Sequence, residues 1–220
     1  MIKPDKIIRS NRKTLSLSVD FFGRLIVRAP RRCSLIRIFA FIQEKEDWIY
    51  RKKAQMKGAG ISLPPENLDG YNLLLLGKPC KISLTDERYV RYDTENHRLY
   101  LPKTNAKTRL QKWLKENAKR ILADLTQTTA SRMGTSYKSV GISSAKTRWG
   151  SCAADNAIRY TFRLLYAPKE VIEYVVVHEL SHTKHKNHSA YFWTEVTKYC
   201  PNWQRHRAWL KQHGILMEIL

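Results

Sequence analysis

The chain has 220 residues, of which 43% are apolar and 10% aromatic, enough to fill the core of one large or two modest globular domains. No run approaches the roughly 20 apolar residues that span a bilayer, and no apolar signal segment follows Met1, so we expect a cytoplasmic protein without a membrane partner. The four cysteines form no C-x-x-C pair, which argues against a disulfide framework and against a zinc knuckle.

The charge is strongly positive, with 40 Lys and Arg residues against 19 Asp and Glu and a formal net charge of +21. Residues 1–100 carry a net charge of +9 and residues 101–220 a net charge of +12, so the excess is not confined to a tail. A dispersed positive field attracts polyanions, which makes nucleic acid the leading expected partner besides a substrate. The alternative is a solvated basic surface, because no known nucleic-acid-binding motif is present.

The first block of the chain is predicted to begin with a hairpin and a helix. Apolar and polar residues alternate over 13–19 and 24–30, with a turn at 21–23 between them, which predicts two antiparallel strands. Ser34 is suited to cap a helix whose apolar residues recur at helical spacing to about Met56.

Further strands and a domain boundary follow. Short runs rich in β-formers predict strands over 71–76, 81–84, 90–92 and 98–101. We expect the first block to be a small β-rich domain containing one helix, with a boundary near residues 102–107. The predicted domains are therefore 1–104 and 105–220, and the fold class is α+β.

The second block is predicted to open with a long helix over 106–133 that ends at Gly134. Strands are expected over 137–148 and 158–165, around a turn-rich segment at 153–156. Together these predict a β-hairpin just before the next helix.

That next helix carries the most informative motif of the chain, H-E-x-x-H over residues 178–182. His178 and His182 are four residues apart and so lie on one helical face, which suits two imidazole nitrogens that bind one zinc ion. Glu179 lies beside them and is the natural general base. Pro168 is suited to the start of the helix, and the poor helix formers Val175–Val177 indicate that tertiary burial overrides their propensity.

A third protein ligand is needed, because a catalytic zinc usually takes three and leaves the fourth position to water. His185 would lie roughly 10 Å along the helix axis from His178 if the helix continued, too far to share one ion. His188 can return to the metal if the helix stops, and Asn187 in a left-handed conformation could supply that stop. We therefore predict His188 as the third ligand and a surface or supporting role for His185.

These residues resemble the YgjP-like metallopeptidase family, which is similar to the SprT-like zinc proteases. The segments that carry the resemblance are Arg148-Trp149-Gly150-Ser151-Cys152, the helix over 174–182, Asn187-His188-Ser189, and Phe192-Trp193. The resemblance covers most of the chain and implies a zincin-like hydrolase fold with a β-rich N-terminal domain. It also implies Zn²⁺ bound by His178, His182 and His188, with Glu179 as the catalytic residue.

Other side chains near the motif have alternative roles. Arg148 could stabilise an oxyanion or an anionic substrate, and with Trp149 it is a candidate substrate-binding residue, with an exposed structural role for Arg148 and a core role for Trp149 as the alternatives. Cys152 is expected to be buried and inert. Tyr160 and Tyr191 are both candidate electrophiles near the metal, and the sequence does not choose between them.

Three functions are compatible with these features. The first is a zinc-dependent endopeptidase, with proteins held on DNA as a substrate class suggested by the SprT-like resemblance. The second is a metal-dependent hydrolase of a nucleoside triphosphate or another phosphoanhydride, although the chain has no P-loop. The third is a nucleic-acid-binding protein with a structural zinc, which would need a fourth ligand such as Cys152 or His185. The oligomeric state is left open.

Overall fold

The computed structural model describes residues 2–19, 23–57 and 63–220. Most of the turn predicted at 21–23 lies outside the described residues. The chain divides into two compact units, one formed by Met1–Ser62 with Gln212–Ile215 and the other by Leu63–Lys211 with Leu216–Leu220.

The first unit contains a three-stranded sheet of order β1-β3-β2. Its strands are β1 (Lys6–Ser10), β2 (Ser16–Val19) and β3 (Leu25–Pro30). Strands β2 and β3 pair antiparallel, as the predicted hairpin requires. Strand β1 was not predicted, and it pairs parallel with β3, which makes β3 the central strand.

Two helices cover this sheet rather than the single helix predicted. They are α1 (Leu35–Glu44) and α2 (Glu46–Lys57), with a break at Lys45. The backbone N–H of Arg37 donates to Ser34 Oγ at 3.3 Å, so Ser34 caps α1 as expected. Alternate residues of β3 and residues four apart on α1 form the core of this unit, with one residue of α2. Its fully buried members are Leu25, Val27, Ala29, Ile38, Ile42 and Ile49.

The second unit begins with a four-stranded sheet of order β4-β5-β7-β6. Its strands are β4 (Asn72–Leu75), β5 (Lys78–Thr85), β6 (Arg91–Asp93) and β7 (Arg98–Pro102), close to the predicted positions. Strand β5 pairs antiparallel with β4 and parallel with β7, and β6 and β7 form a second antiparallel pair.

This sheet belongs to the same compact unit as the long helix and the motif helix. The backbone N–H of Leu76 donates to the carbonyl of Leu165 at 2.7 Å. The turn between β4 and β5 also packs tightly on Pro168, because a Cβ added to Gly77 would lie 2.7 Å from Pro168 Cα. The compact units therefore divide after residue 62, while the predicted functional domains 1–104 and 105–220 stay a prediction.

Helix α3 (Ala106–Met133) has the predicted length and ends at Gly134, which adopts a left-handed conformation. Its buried residues recur three or four apart, so one face packs inward and the other faces solvent. They are Leu110, Leu114, Ala118, Leu122, Thr126, Thr129, Ala130 and Met133.

A third sheet, of order β8-β10-β9, precedes the motif helix. Its strands are β8 (Ser139–Ser143), β9 (Gly150–Cys152) and β10 (Ala157–Thr161). The predicted hairpin of 137–148 with 158–165 is wrong in its pairing, because β8 runs parallel to β10. The antiparallel partner of β10 is β9. This three-residue strand lies just before the turn-rich segment 153–156, where no strand was predicted.

The remaining elements are helical. A 3-10 turn over Phe162–Tyr166 leads into α4 (Lys169–Lys184), which is followed by α5 (Ala190–Tyr199), α6 (Trp203–Gln212) and a 3-10 turn over Gly214–Glu218. Val175, Val176 and Val177 are buried, as expected for a helix that tertiary packing stabilises. The fold class is mixed α+β, and no helix within the described ranges is long and apolar enough to span a membrane.

Candidate metal centre

Three histidines converge at one end of α4. His178 and His182 lie on α4, and His188 lies in the segment between α4 and α5. One nitrogen of each ring lies within 4.8 Å of the corresponding nitrogens of the other two. The Nε2 atoms of His178 and His188 are 3.2 Å apart. Two nitrogens bound at 2.0 to 2.1 Å to a tetrahedral zinc ion would be about 3.3 Å apart, so the spacing fits such an ion.

The end of α4 places His188 beside the other two rings. The helix ends at Lys184, and the backbone of the next residue, His185, is extended, with φ −130° and ψ 102°. Asn187 is not among the residues with positive φ, so the predicted left-handed stop at that position is wrong. The chain turns because His185 leaves the helix, and the three residues that follow bring His188 back to the rings on α4.

The two rings on α4 are held in the neutral state that a metal ligand needs. Burial, together with the neighbouring His182 and His188, lowers the pKa of His178 to about 3. Burial also lowers the pKa of His182. The Nδ1–H of His182 can donate to the carbonyl of His185 at 3.0 Å, which leaves Nε2 of His182 free to bind a metal. His185 therefore contacts His182 through its backbone oxygen rather than through its imidazole ring.

Glu179 lies beside the histidines with its carboxyl group buried. Its residue exposure is 5%, and this burial raises the pKa of the carboxyl group to about 8, while the charge of Arg148 partly opposes that rise. Strand β9 covers the carboxyl group closely. A Cβ added to Gly150 would lie 2.5 Å from Glu179 Oε1 and 2.8 Å from its Cγ.

Aromatic rings pack around His178 and His188. Phe192 and Trp193 lie in a segment that carries the family resemblance, whereas Trp203 was not predicted to lie near the site. Phe192 lies 4.5 to 4.9 Å, centroid to centroid, from all three histidine rings. The ring of Trp193 stacks on His188 at 5.7 Å and on Trp203 at 4.1 Å. The position of Phe192, four residues after His188, was the available signal, since α5 begins between them.

The family comparison is consistent with this centre. The model of the YgjP-like metallopeptidase domain matches residues 13–213. The chain belongs to the YgjP-like metallopeptidase family. This membership supports a metal-dependent protease, a hydrolase whose substrate is a protein or peptide.

Two solved structures show a more distant likeness to this YgjP-like chain. One is the metallopeptidase zymogen abylysin of Pyrococcus abyssi, with 24% identity over 44% of this chain and 96% of that chain, and a TM-score of 0.39. The other is the metallopeptidase zymogen jannalysin of Methanocaldococcus jannaschii, with 19% identity over 42% and 95%, and a TM-score of 0.37. No curated protein matches the chain. Because both TM-scores are below 0.5, the identification rests on the family match.

The other predicted site residues of this YgjP-like protein lie at different depths. Arg148 is exposed, and Trp149 is half-buried, with its carbonyl accepting from the N–H of Thr161 at 3.0 Å. Cys152 is half-buried rather than buried, and burial raises the pKa of its thiol. Its sulfur does not belong to the histidine cluster found among the described residues.

The two candidate electrophiles are separated by burial. Tyr160 is fully buried in the core, and its hydroxyl lies 3.1 Å from Thr126 Oγ1. A substrate cannot reach this hydroxyl, so Tyr160 is not an electrophile. Tyr191 is 77% exposed, and its ring stacks on His185 at 6.5 Å. Of the two tyrosines, only Tyr191 is accessible from solvent.

Proposed function

We propose that this protein is a zinc-dependent endopeptidase in which Glu179 is the general base. The observation that carries the proposal is the convergence of His178, His182 and His188 beside the buried carboxyl group of Glu179. Three histidines leave a fourth tetrahedral position open, which is typical of catalytic zinc and not of structural zinc. The assignment of catalysis to a zincin-like domain over 105–220 is part of this proposal.

The proposed mechanism assigns one task to each group. His178, His182 and His188 would hold the ion. When bound, zinc polarises the scissile carbonyl and lowers the pKa of water. Glu179 takes the proton from the attacking water and delivers it to the leaving amine, as a general base and then a general acid. A carboxyl group in a dry site with a raised pKa is well suited to hold that proton between the two transfers.

Strand β9 offers a place for the substrate. It is an edge strand, because the sheet order is β8-β10-β9, and β9 also packs on α4, which carries the metal ligands. An extended peptide could add to this edge through main-chain hydrogen bonds, the usual mode of strand addition. Arg148 precedes β9, is exposed and lies near enough to Glu179 to affect its pKa, so it is a candidate for binding the carbonyl oxygen that develops negative charge.

The other two functions have less support. A structural zinc needs a fourth protein ligand, and neither Cys152 nor His185 joins the histidine cluster among the described residues. A phosphoanhydride hydrolase would use the same three histidines with basic side chains on the phosphates. The family match favours peptide over phosphoanhydride, and a screen of both substrate classes would decide between them.

Zinc loading tests the ligand assignment. We expect the wild-type protein to bind one zinc ion, and His178→Ala, His182→Ala and His188→Ala each to lose most of it, because two remaining imidazoles hold zinc poorly. His185→Ala is the matched control, since its ring stacks on Tyr191 and only its backbone oxygen contacts His182. Metal analysis after dialysis measures the result. Loss of zinc from the His185 variant with retention in the His188 variant would reverse the assignment.

The activity screen follows from the loading test. Zinc-loaded protein is incubated with unfolded casein and, separately, with nucleoside triphosphates. Cleavage of casein that a chelator abolishes and zinc restores supports the endopeptidase. Release of pyrophosphate or phosphate without cleavage of casein would replace it with the phosphoanhydride hydrolase.

The net charge of +21 supports a further part of the proposal, that the substrates include proteins held on DNA. We expect DNA binding at low salt, with log affinity falling linearly against log salt as counterions are released. Little sequence preference is expected, because phosphate contacts carry no base information. Fluorescence anisotropy with single- and double-stranded DNA, with and without zinc, measures it. If DNA does not bind even at low salt, the basic residues form only a solvated surface, and the proposal of DNA-associated substrates is wrong.

A further inference from the structure

The His188 ligand depends on a segment with no regular secondary structure. His178 and His182 are fixed by the packing of α4, whereas His188 is exposed and lies between the end of α4 and the start of α5. The stacked ring of Trp193 orients the imidazole of His188 from one side. The backbone that carries this ligand needs an anchor of its own, because an unanchored loop would lose conformational entropy when the metal binds.

Lys186 anchors the segment that carries His188 through hydrogen bonds of its side chain. Its Nζ donates to the carbonyl of Ala153 at 3.0 Å and to Asn156 Oδ1, and it lies 3.8 Å from Cys152 Sγ. Ala153 and Asn156 belong to the turn between β9 and β10, and Cys152 is the last residue of β9. One ammonium group therefore joins the segment that carries His188 to the hairpin beside Glu179.

The turn that accepts these bonds is itself well ordered by hydrogen bonds. The N–H of Ala153 donates to the carbonyl of Ala157 at 2.9 Å, and the N–H of Asn156 donates to the carbonyl of Ala153 at 3.0 Å. Asn156 adopts the left-handed conformation, with φ 64°, which asparagine tolerates better than most residues. Lys186 thus binds a fixed point rather than a mobile loop.

We propose that Lys186 is a positioning residue for the metal centre, which fixes the segment 185–189 so that His188 is placed for metal binding before the ion arrives. This inference rests on the proposed function, because it takes His188 as a zinc ligand. Preorganisation of this kind raises affinity by removing the ordering cost from the binding step. The direction of the change in zinc affinity distinguishes positioning from simple electrostatics. Removal of a positive charge near a cation site would by itself tighten zinc binding, whereas loss of positioning should weaken it.

The experiment compares zinc affinity in four full-length proteins by competition with a chromophoric chelator. Lys186→Met keeps the aliphatic stem and removes the donors, and we expect zinc affinity to fall about 10- to 100-fold, as for other groups that support metal ligands. Lys186→Arg, which keeps donors and charge, should retain most of the affinity. Lys138→Met is the matched control, because Lys138 pairs with Asp155 of the same turn at 2.7 Å, so this variant also removes a lysine contact from the turn.

The unfolding midpoint of each metal-free variant separates a positioning role from a general structural one. Lys186→Met should leave that midpoint close to the wild-type value, because the side chain is exposed. At a fixed zinc concentration, it should lose only part of the added stability that zinc provides. Unchanged or tighter zinc binding in Lys186→Met would overturn the inference, and so would an equal loss in Lys138→Met. If the wild-type protein itself fails to bind zinc, the proposed function falls instead.

Discussion

Replacement of Glu179 with glutamine is expected to remove hydrolysis while leaving zinc bound. The amide keeps the size of the side chain but cannot take a proton from water, so kcat should fall about 10²- to 10⁴-fold, the usual contribution of a general base. KM should change little, because Glu179 does not hold the ion or bind the peptide in the proposed mechanism. Initial rates on the substrate identified in the casein screen, with metal analysis of the same samples, measure both quantities.

Glu170→Gln is the matched control for this variant. Glu170 lies on the same helix, is exposed in the first turn of α4 and is remote in sequence from the histidines. It should retain wild-type kcat and zinc content. A wild-type rate in Glu179→Gln would remove Glu179 as the base, and loss of zinc from that variant would place its carboxylate among the ligands instead.

The start of α1 and both ends of α3 were predictable from sequence because their signals are local. Ser34 before α1, Gly134 after α3 and the apolar spacing along both helices depend on residues within one or two turns. Strands β1 and β9 were missed for the opposite reason. Strand β1 is defined by its parallel partner β3, some 20 residues away, and β9 has only three residues, one of them glycine. Neither has a periodic pattern long enough to identify it.

The clustering of the three histidines was predictable to a similar degree. The i, i+4 spacing of His178 and His182 is a helical signal, and the reach of the chain after α4 favoured His188 over His185 as the third member of the cluster. The side chains that pack around this cluster come from positions with no fixed spacing to the motif. Lys186 donates a hydrogen bond to a residue 30 positions earlier in the chain, and Trp203 on α6 stacks on Trp193 on α5. These contacts form only when the chain is folded, so the sequence pattern does not reveal them.

The glycine in the Arg148-Trp149-Gly150-Ser151-Cys152 segment has a role that the fold explains. Strand β9 passes so close to α4 that the space of a side chain at Gly150 is filled by Glu179, with Oε1, Cγ and Cδ all within 2.9 Å of an added Cβ. Gly150 does not have a positive φ, so its backbone is open to any residue. The requirement for glycine is therefore one of space, and it is imposed by the side chain of Glu179.

Gly150→Ala is accordingly expected to reduce catalysis far more than stability. The added methyl group must displace Glu179, whose side chain can swing away more easily than the two backbones can separate, and a displacement near 1 Å can cost about 10²-fold in rate. We expect kcat to fall by roughly that factor, with KM, zinc content and the unfolding midpoint changed little. Steady-state rates, metal analysis and thermal unfolding measure these, and a crystal structure of the variant should show the Glu179 carboxyl group moved from its wild-type position.

Gly141→Ala provides the matched control in the same sheet. Gly141 lies on β8 and also lacks a positive φ, but its added Cβ would only touch Arg159 Cγ at 3.4 Å, on an exposed and flexible side chain. This variant should keep the wild-type kcat. Equal losses in the two variants would mean that an added methyl group disturbs the sheet rather than Glu179. A wild-type rate in Gly150→Ala would show that Glu179 can yield without harm to catalysis, and the close approach of β9 would then serve packing alone.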